Sequence, residues 1–80
     1  MSRAQVKLAD IDTRGGELQP YELDDAEAVI RASMSAWGHV SLVQRKLGIR
    51  YSRAAAIVER LEQSGVISRA GRDGSRRLLR

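Results

Sequence analysis

Apolar side chains recur at helical spacing in three short blocks of this chain, and glycines punctuate the blocks. In the first, Ala26, Val29, Ile30, Ser33 and Trp37 follow one another at intervals of three and four, which predicts a helix from about Asp24 to Ala36 with one buried stripe. Pro20 disfavours helix at Gln19, and Asp24 and Asp25 offer a cap and a favourable charge for the helix start. Trp37 is expected to close the core at the far end. His39-Val40, after Gly38, reads as a short strand. In the second block, Ser41 and Gln44 have capping-box spacing, Val43 and Leu47 lie four apart, and Gly48 permits the left-handed stop of a short helix. The third block, about Ser52 to Ser64, places Ala54, Ile57, Val58 and Leu61 on one stripe, and Gly65 closes it.

Beyond the helices the period changes. Val66 to Ala70 alternates weakly, Gly71-Arg72-Asp73-Gly74 carries the Asp-Gly hairpin signal, and Ser75 to Leu79 supplies a return strand. The predicted fold is mainly α with a small β-hairpin: a winged helix-turn-helix of three helices plus a wing, spanning residues 23–80. Residues 1–22 show no sustained period, and Thr13-Arg14-Gly15-Gly16 is linker chemistry. They read as a flexible or partly extended N-terminal arm, with Val6, Leu8 and Ile11 as a brief extended piece or a simple tail.

Charge sharpens this picture. Residues 1–37 hold four basic against seven acidic side chains, whereas residues 38–80 hold ten basic against three acidic. A half-domain so basic self-repels unless a polyanion or solvent screens it, which points to phosphate as partner. Cysteine is absent and His39 is the one histidine, so no thiolate site, metal cluster or Ser-His-acid constellation can be assembled. No enzyme activity, cofactor or metal is expected. No apolar run approaches the roughly 20 residues that span a bilayer, so no membrane partner is expected and the location reads as cytoplasmic, at the nucleoid.

The expected DNA contacts follow from the helical wheel. Opposite the apolar stripe of the third helix lie Ser52, Ala56, Glu59 and Gln63, flanked by Arg53 and Arg60. Small Ser52 and Ala56 would let base edges approach closely in a major groove, and Arg53 is the leading candidate for bidentate contact with guanine, the alternatives being a phosphate clamp or a pair with a nearby acid. Ser41, Arg45 and Lys46 on the second helix, and Arg50 and Tyr51 in the turn, complete the helical set. Arg72, Ser75, Arg76 and Arg77 would lie along the backbone or enter a minor groove from the wing. One such module reads few base pairs, so a second copy is an expected partner.

Together, Val43-Gln44-Arg45-Lys46-Leu47, Ile49, Tyr51, Arg53-Ala54-Ala55, Val58-Glu59, Gly65-Val66 and Gly74-Ser75-Arg76 resemble the C-terminal gamma domain of the FtsK family of bacterial DNA translocases. The resemblance covers Ala26 to Leu79. It implies a winged helix that reads short guanine-rich polar sequences, orients a hexameric motor, and touches a Xer-type tyrosine recombinase. Four positions depart from the family pattern: Ser52 stands in place of Asn, Ala56 of Arg, Arg50 of Gly, and Arg77 of an acid. The surface is therefore more basic and has fewer base-reading groups. No Gly-x-x-x-x-Gly-Lys-Ser/Thr pattern occurs, so the chain carries no ATPase motor of that type. With Met1 and the arm, this leads us to expect a free-standing regulatory or accessory protein, acting in transcription control or site-specific recombination. The alternative is a protein-interaction module that docks on a Xer-type recombinase or a translocase, with DNA affinity secondary.

Overall fold

In the computed structural model of the chain, residues 17–80 are described, and the expectations for Val6, Leu8, Ile11 and the Thr13–Gly16 linker lie outside them. Three helices follow in order: α1 (Pro20–Ser33), α2 (His39–Leu47) and α3 (Tyr51–Gln63). Their shared core joins Ala26 and Ile30 of α1, Val43 of α2, and Ala54, Ile57, Val58 and Leu61 of α3 to Val66 and Ile67 just beyond. Within α1 and within α3 the core side chains are spaced so that they fall on one face of the helix.

Helix α1 starts four residues before the expected Asp24. Pro20 occupies its first position, where a missing N–H costs no helical bond, and the Gln19 N–H donates to Glu22 Oε1 at 2.8 Å. Pro20 is thus the opening of the helix and not a barrier before it. The far end stops at Ser33, where Met34 turns left-handed at φ 58°. Trp37 therefore falls outside the helix and does not close the core: it is 58% exposed, and its indole N–H donates to Asp73 O at 3.3 Å. The ring braces the C-terminal segment instead.

The expected His39-Val40 strand is also corrected. Gly38 at φ 71° is the N-cap of α2, the helix begins at His39, and the Leu42 N–H donates to Gly38 O at 2.9 Å. The turn that Gly38 makes winds the next residues into helix before any strand can extend, so Ser41 lies inside α2 and does not cap it. Gly48 at φ 64° ends α2 as expected, and α3 agrees with expectation to within one residue.

Past α3 the chain forms a looped ribbon. Ile67 and Leu78 make one antiparallel bridge, flanked by the Ser68 N–H to Arg77 O and the Leu79 N–H to Val66 O, both 2.8 Å. No longer strand occurs among the described residues, so the fold shown is all-α with three helices. Only Val66 and Ile67 of this segment are buried, and Arg69 to Gly74 are exposed, so little packing holds the two sides in a regular ladder. The ribbon is tied back by the Arg76 N–H, which donates to Ala36 O at 2.9 Å in the α1–α2 connection.

Candidate nucleic-acid interface

Helix α2, a short turn at Gly48 to Arg50, and α3 hold most of the expected contact residues. Arg45, Lys46, Arg50, Tyr51, Ser52 and Arg60 are exposed, as is Ser41 in the first turn of α2, while Ala56 is half-buried. On the ribbon Arg72 and Arg77 are exposed, and Ser75 and Arg76 are half-buried. Among the described residues, Arg45, Lys46, Arg50, Arg60, Arg72 and Arg77 form no ion pair with a carboxylate. The acidic side chains of the same region are engaged elsewhere, which leaves these cations facing solvent.

Two of the expected contacts have other work. The Arg53 guanidinium bonds Glu22 twice, Nη2 to Oε1 at 2.6 Å and Nε to Oε2 at 3.0 Å, and Nη2 also donates to Glu17 O at 3.1 Å. Both side chains of this pair are at least 85% buried. The alternative of pairing with an acid is the one observed, and Arg53 joins the start of α3 to the start of α1, turned away from the exposed face. Its bonds hold the Glu22 carboxyl below the ordinary carboxylate range, against the opposing effect of burial, with the Gln19 N–H adding to the same direction. Arg76 likewise donates from Nη1 to Glu62 Oε1 at 3.0 Å and to Ser68 O at 3.2 Å, so it is held along α3 and does not project from a tip.

Ser75 shapes the ribbon: its hydroxyl and N–H both donate to Asp73 Oδ1, at 2.7 and 3.0 Å, and these bonds lower the Asp73 pKa. Arg69, absent from the expected contacts, has an 89% exposed side chain, with Glu62 4.0 Å away. Two residues after buried Ile67 a period-two strand would turn it inward, so no alternation signal marked it, and its exposure shows that the regular strand has ended by then.

The structure brings Ser41, Tyr51 and Arg76 to one groove of about 230 Å³, which Gly38, His39, Val40 and Gly74 also line. Arg45, Lys46 and Arg60 are not among its walls. Among the described residues no cluster of three or more His, Asp or Glu side chains could hold a metal, and no helix is long and apolar enough to cross a membrane.

A small three-helix domain with unpaired cations on its α2–turn–α3 unit and on its C-terminal ribbon is the class that this geometry defines. Residues 23–80 match the FtsK gamma domain, and the chain belongs to that family. Among its relatives, the DNA translocase FtsK of Rhizobium meliloti (strain 1021) is 47% identical over 60 residues, which cover 75% of this chain and 6% of the relative. The DNA translocase FtsK of Caldanaerobacter subterraneus subsp. tengcongensis is 46% identical over 75 residues, 90% of this chain and 10% of the relative. That of Shewanella oneidensis is 45% identical over 53 residues, 66% and 6%. The chain thus spans a tenth or less of these curated relatives.

Proposed function

We propose that this domain binds duplex DNA without chemistry of its own, with α3 presented to the major groove and the C-terminal ribbon serving as the wing of a winged helix-turn-helix along the backbone. The observation that carries the reading is that Arg45, Lys46, Arg50, Arg60, Arg72 and Arg77 are exposed and have no acidic partner among the described residues. Exposed cations bind phosphate through counterion release, and six contacts give a slope of log affinity against log salt of about −5. Base readout falls to Ser52 and the exposed flank of α3, with Arg53 as a stabilising strut between α3 and α1. Family membership supports a role beside a DNA translocase, on short polar guanine-rich sites and in contact with a Xer-type tyrosine recombinase, more than it supports transcription control.

Selection from random duplexes, followed by titration of the winner and a scrambled control at two salt concentrations, tests this reading. One enriched motif bound at least tenfold above control is the expected result; equal, weak binding that collapses with salt refutes sequence reading.

A second reading, docking on a recombinase or translocase with DNA secondary, is favoured by one observation. Ala28, Val29, Ala32 and Leu42 line a shallow apolar groove of about 380 Å³ between α1 and α2, with Lys46 at its rim. Retention of the Xer-type partner by a variant in which the exposed cations are neutralised would separate it from the first.

A further inference from the structure

We infer that Glu62 is a built-in competitor for the phosphate backbone: it holds back Arg69 and Arg76, so that the ribbon meets a duplex through Arg72 and Arg77. The inference rests on the proposed binding of duplex DNA and concerns how much of that binding is blind to sequence.

Glu62 stands in the last turn of α3, where its one carboxylate serves both sides of the ribbon. Its Oε1 accepts from Arg76 Nη1 at 3.0 Å, on the return side, and its Oε2 lies 4.0 Å from Arg69 Nε, on the outgoing side. Residue 76 is tied down further, since Nη1 also donates to Ser68 O at 3.2 Å and the backbone N–H to Ala36 O at 2.9 Å. Its side chain is only 20% exposed. Arg72 and Arg77, by contrast, are exposed and have no acidic partner among the described residues.

The two held arginines are restrained in different ways. Moving Arg76 to a phosphate would strip a half-buried carboxylate of its charge-assisted bond, and an unpaired charge at that depth is costly. Arg69, with an 89% exposed side chain, can swing away at little cost, and Glu62 acts on it chiefly by offsetting its charge at close range. Both effects vanish with the Glu62 charge. Contacts to phosphate position a protein on a duplex without reading its bases. By withholding two of them, Glu62 lowers affinity for every duplex by the same factor and leaves discrimination to α3.

The test titrates the full chain with the selected duplex and with a scrambled control over a series of salt concentrations, at a temperature where every variant is folded by circular dichroism. Glu62→Gln keeps the size of the side chain and an acceptor for Arg76 while removing the charge. It is expected to bind both duplexes about fivefold tighter at the lowest salt, with a slope of log affinity against log salt steeper by about 1–2. Asp24→Asn removes an exposed acid of α1 that forms no ion pair among the described residues, and it controls for net charge with a change of less than about twofold. In the wild-type background, which does not depend on the folding of Glu62→Gln, Arg76→Met is expected to move the slope by less than about 0.5, whereas Arg72→Met flattens it by about 1. In the Glu62→Gln background Arg76→Met should remove about 1 from the slope. Unchanged or weaker binding by Glu62→Gln, a gain confined to the selected duplex, a gain matched by Asp24→Asn, or equal effects of Arg76→Met in the two backgrounds would each overturn the inference while leaving the proposed function standing. A wild-type chain that binds neither duplex sinks the proposed function and the inference with it.

Discussion

Glu22→Gln should cost about 2 kcal/mol of stability although it changes neither size nor shape. The native carboxylate accepts from Arg53 through both oxygens and from the Gln19 N–H, at 2.6 to 3.0 Å. The amide retains one acceptor oxygen but turns an NH₂ toward the Arg53 donors, so one charge-assisted bond is lost and a buried cation loses its counter-charge. An exposed ion pair is worth at most about 1 kcal/mol, and breaking a fully buried one costs about 3–5 kcal/mol. With the two side chains 15% and 13% exposed, an intermediate value of about 2 kcal/mol follows. For a domain of this length that is a fall in Tm of roughly 8–16 °C, read by thermal melting followed by circular dichroism.

The pH dependence gives a second readout of the same pair. The folded Glu22 pKa lies below its ordinary value of 4.5, so its contribution is full above that value and is lost as the pH falls through the folded pKa. The stability gap between wild type and Glu22→Gln should therefore narrow below about pH 4.5 and hold constant above it. A variant that melts within about 2 °C of wild type at neutral pH, or a gap that ignores acid, would refute the reasoning.

Three other outcomes follow from the same geometry. Arg53→Met should lose stability comparable to Glu22→Gln yet, at a temperature where both proteins are folded, keep duplex affinity within about threefold; a loss of about 1–3 kcal/mol confined to one base position would return Arg53 to the reading face. Gly48→Ala should cost about 1–2 kcal/mol by denaturant titration, because φ is 64° and the added Cβ meets nothing within 4 Å, so the whole penalty is backbone strain. Neutralising Arg72 and Arg77 together should flatten the salt slope of duplex binding by about 2 while stability stays within about 0.5 kcal/mol, and an unchanged slope would place the ribbon off the DNA.

Some of this molecule is written locally. The α3 stripe of Ala54, Ile57, Val58 and Leu61 is buried as its spacing requires, because a helix repeats every 3.6 residues whatever surrounds it. Gly48 and the turn at Gly71 to Gly74 are likewise local, since a left-handed residue or tight turn depends on a few neighbouring dihedrals. The start of α1 was local too: proline at the first helical position and glutamate three residues after the cap are a start signal, competing with the acidic pair Asp24-Asp25.

What lay beyond local reading depends on partners far apart in the chain. Arg53 finds Glu22 at a separation of 31 residues and Trp37 finds Asp73 at 36, so neither the strut nor the exposed indole follows from the intervals around it. The groove joins Ser41 of α2 to Tyr51 and Arg76 only after three helices have packed. Period, charge balance and turn chemistry marked out the helices and the basic half, because these act between neighbours. Which arginines stay open to a polyanion and which are consumed inside the fold was decided by tertiary packing, because an ion pair is chosen by distance in space and burial, and sequence spacing carries neither.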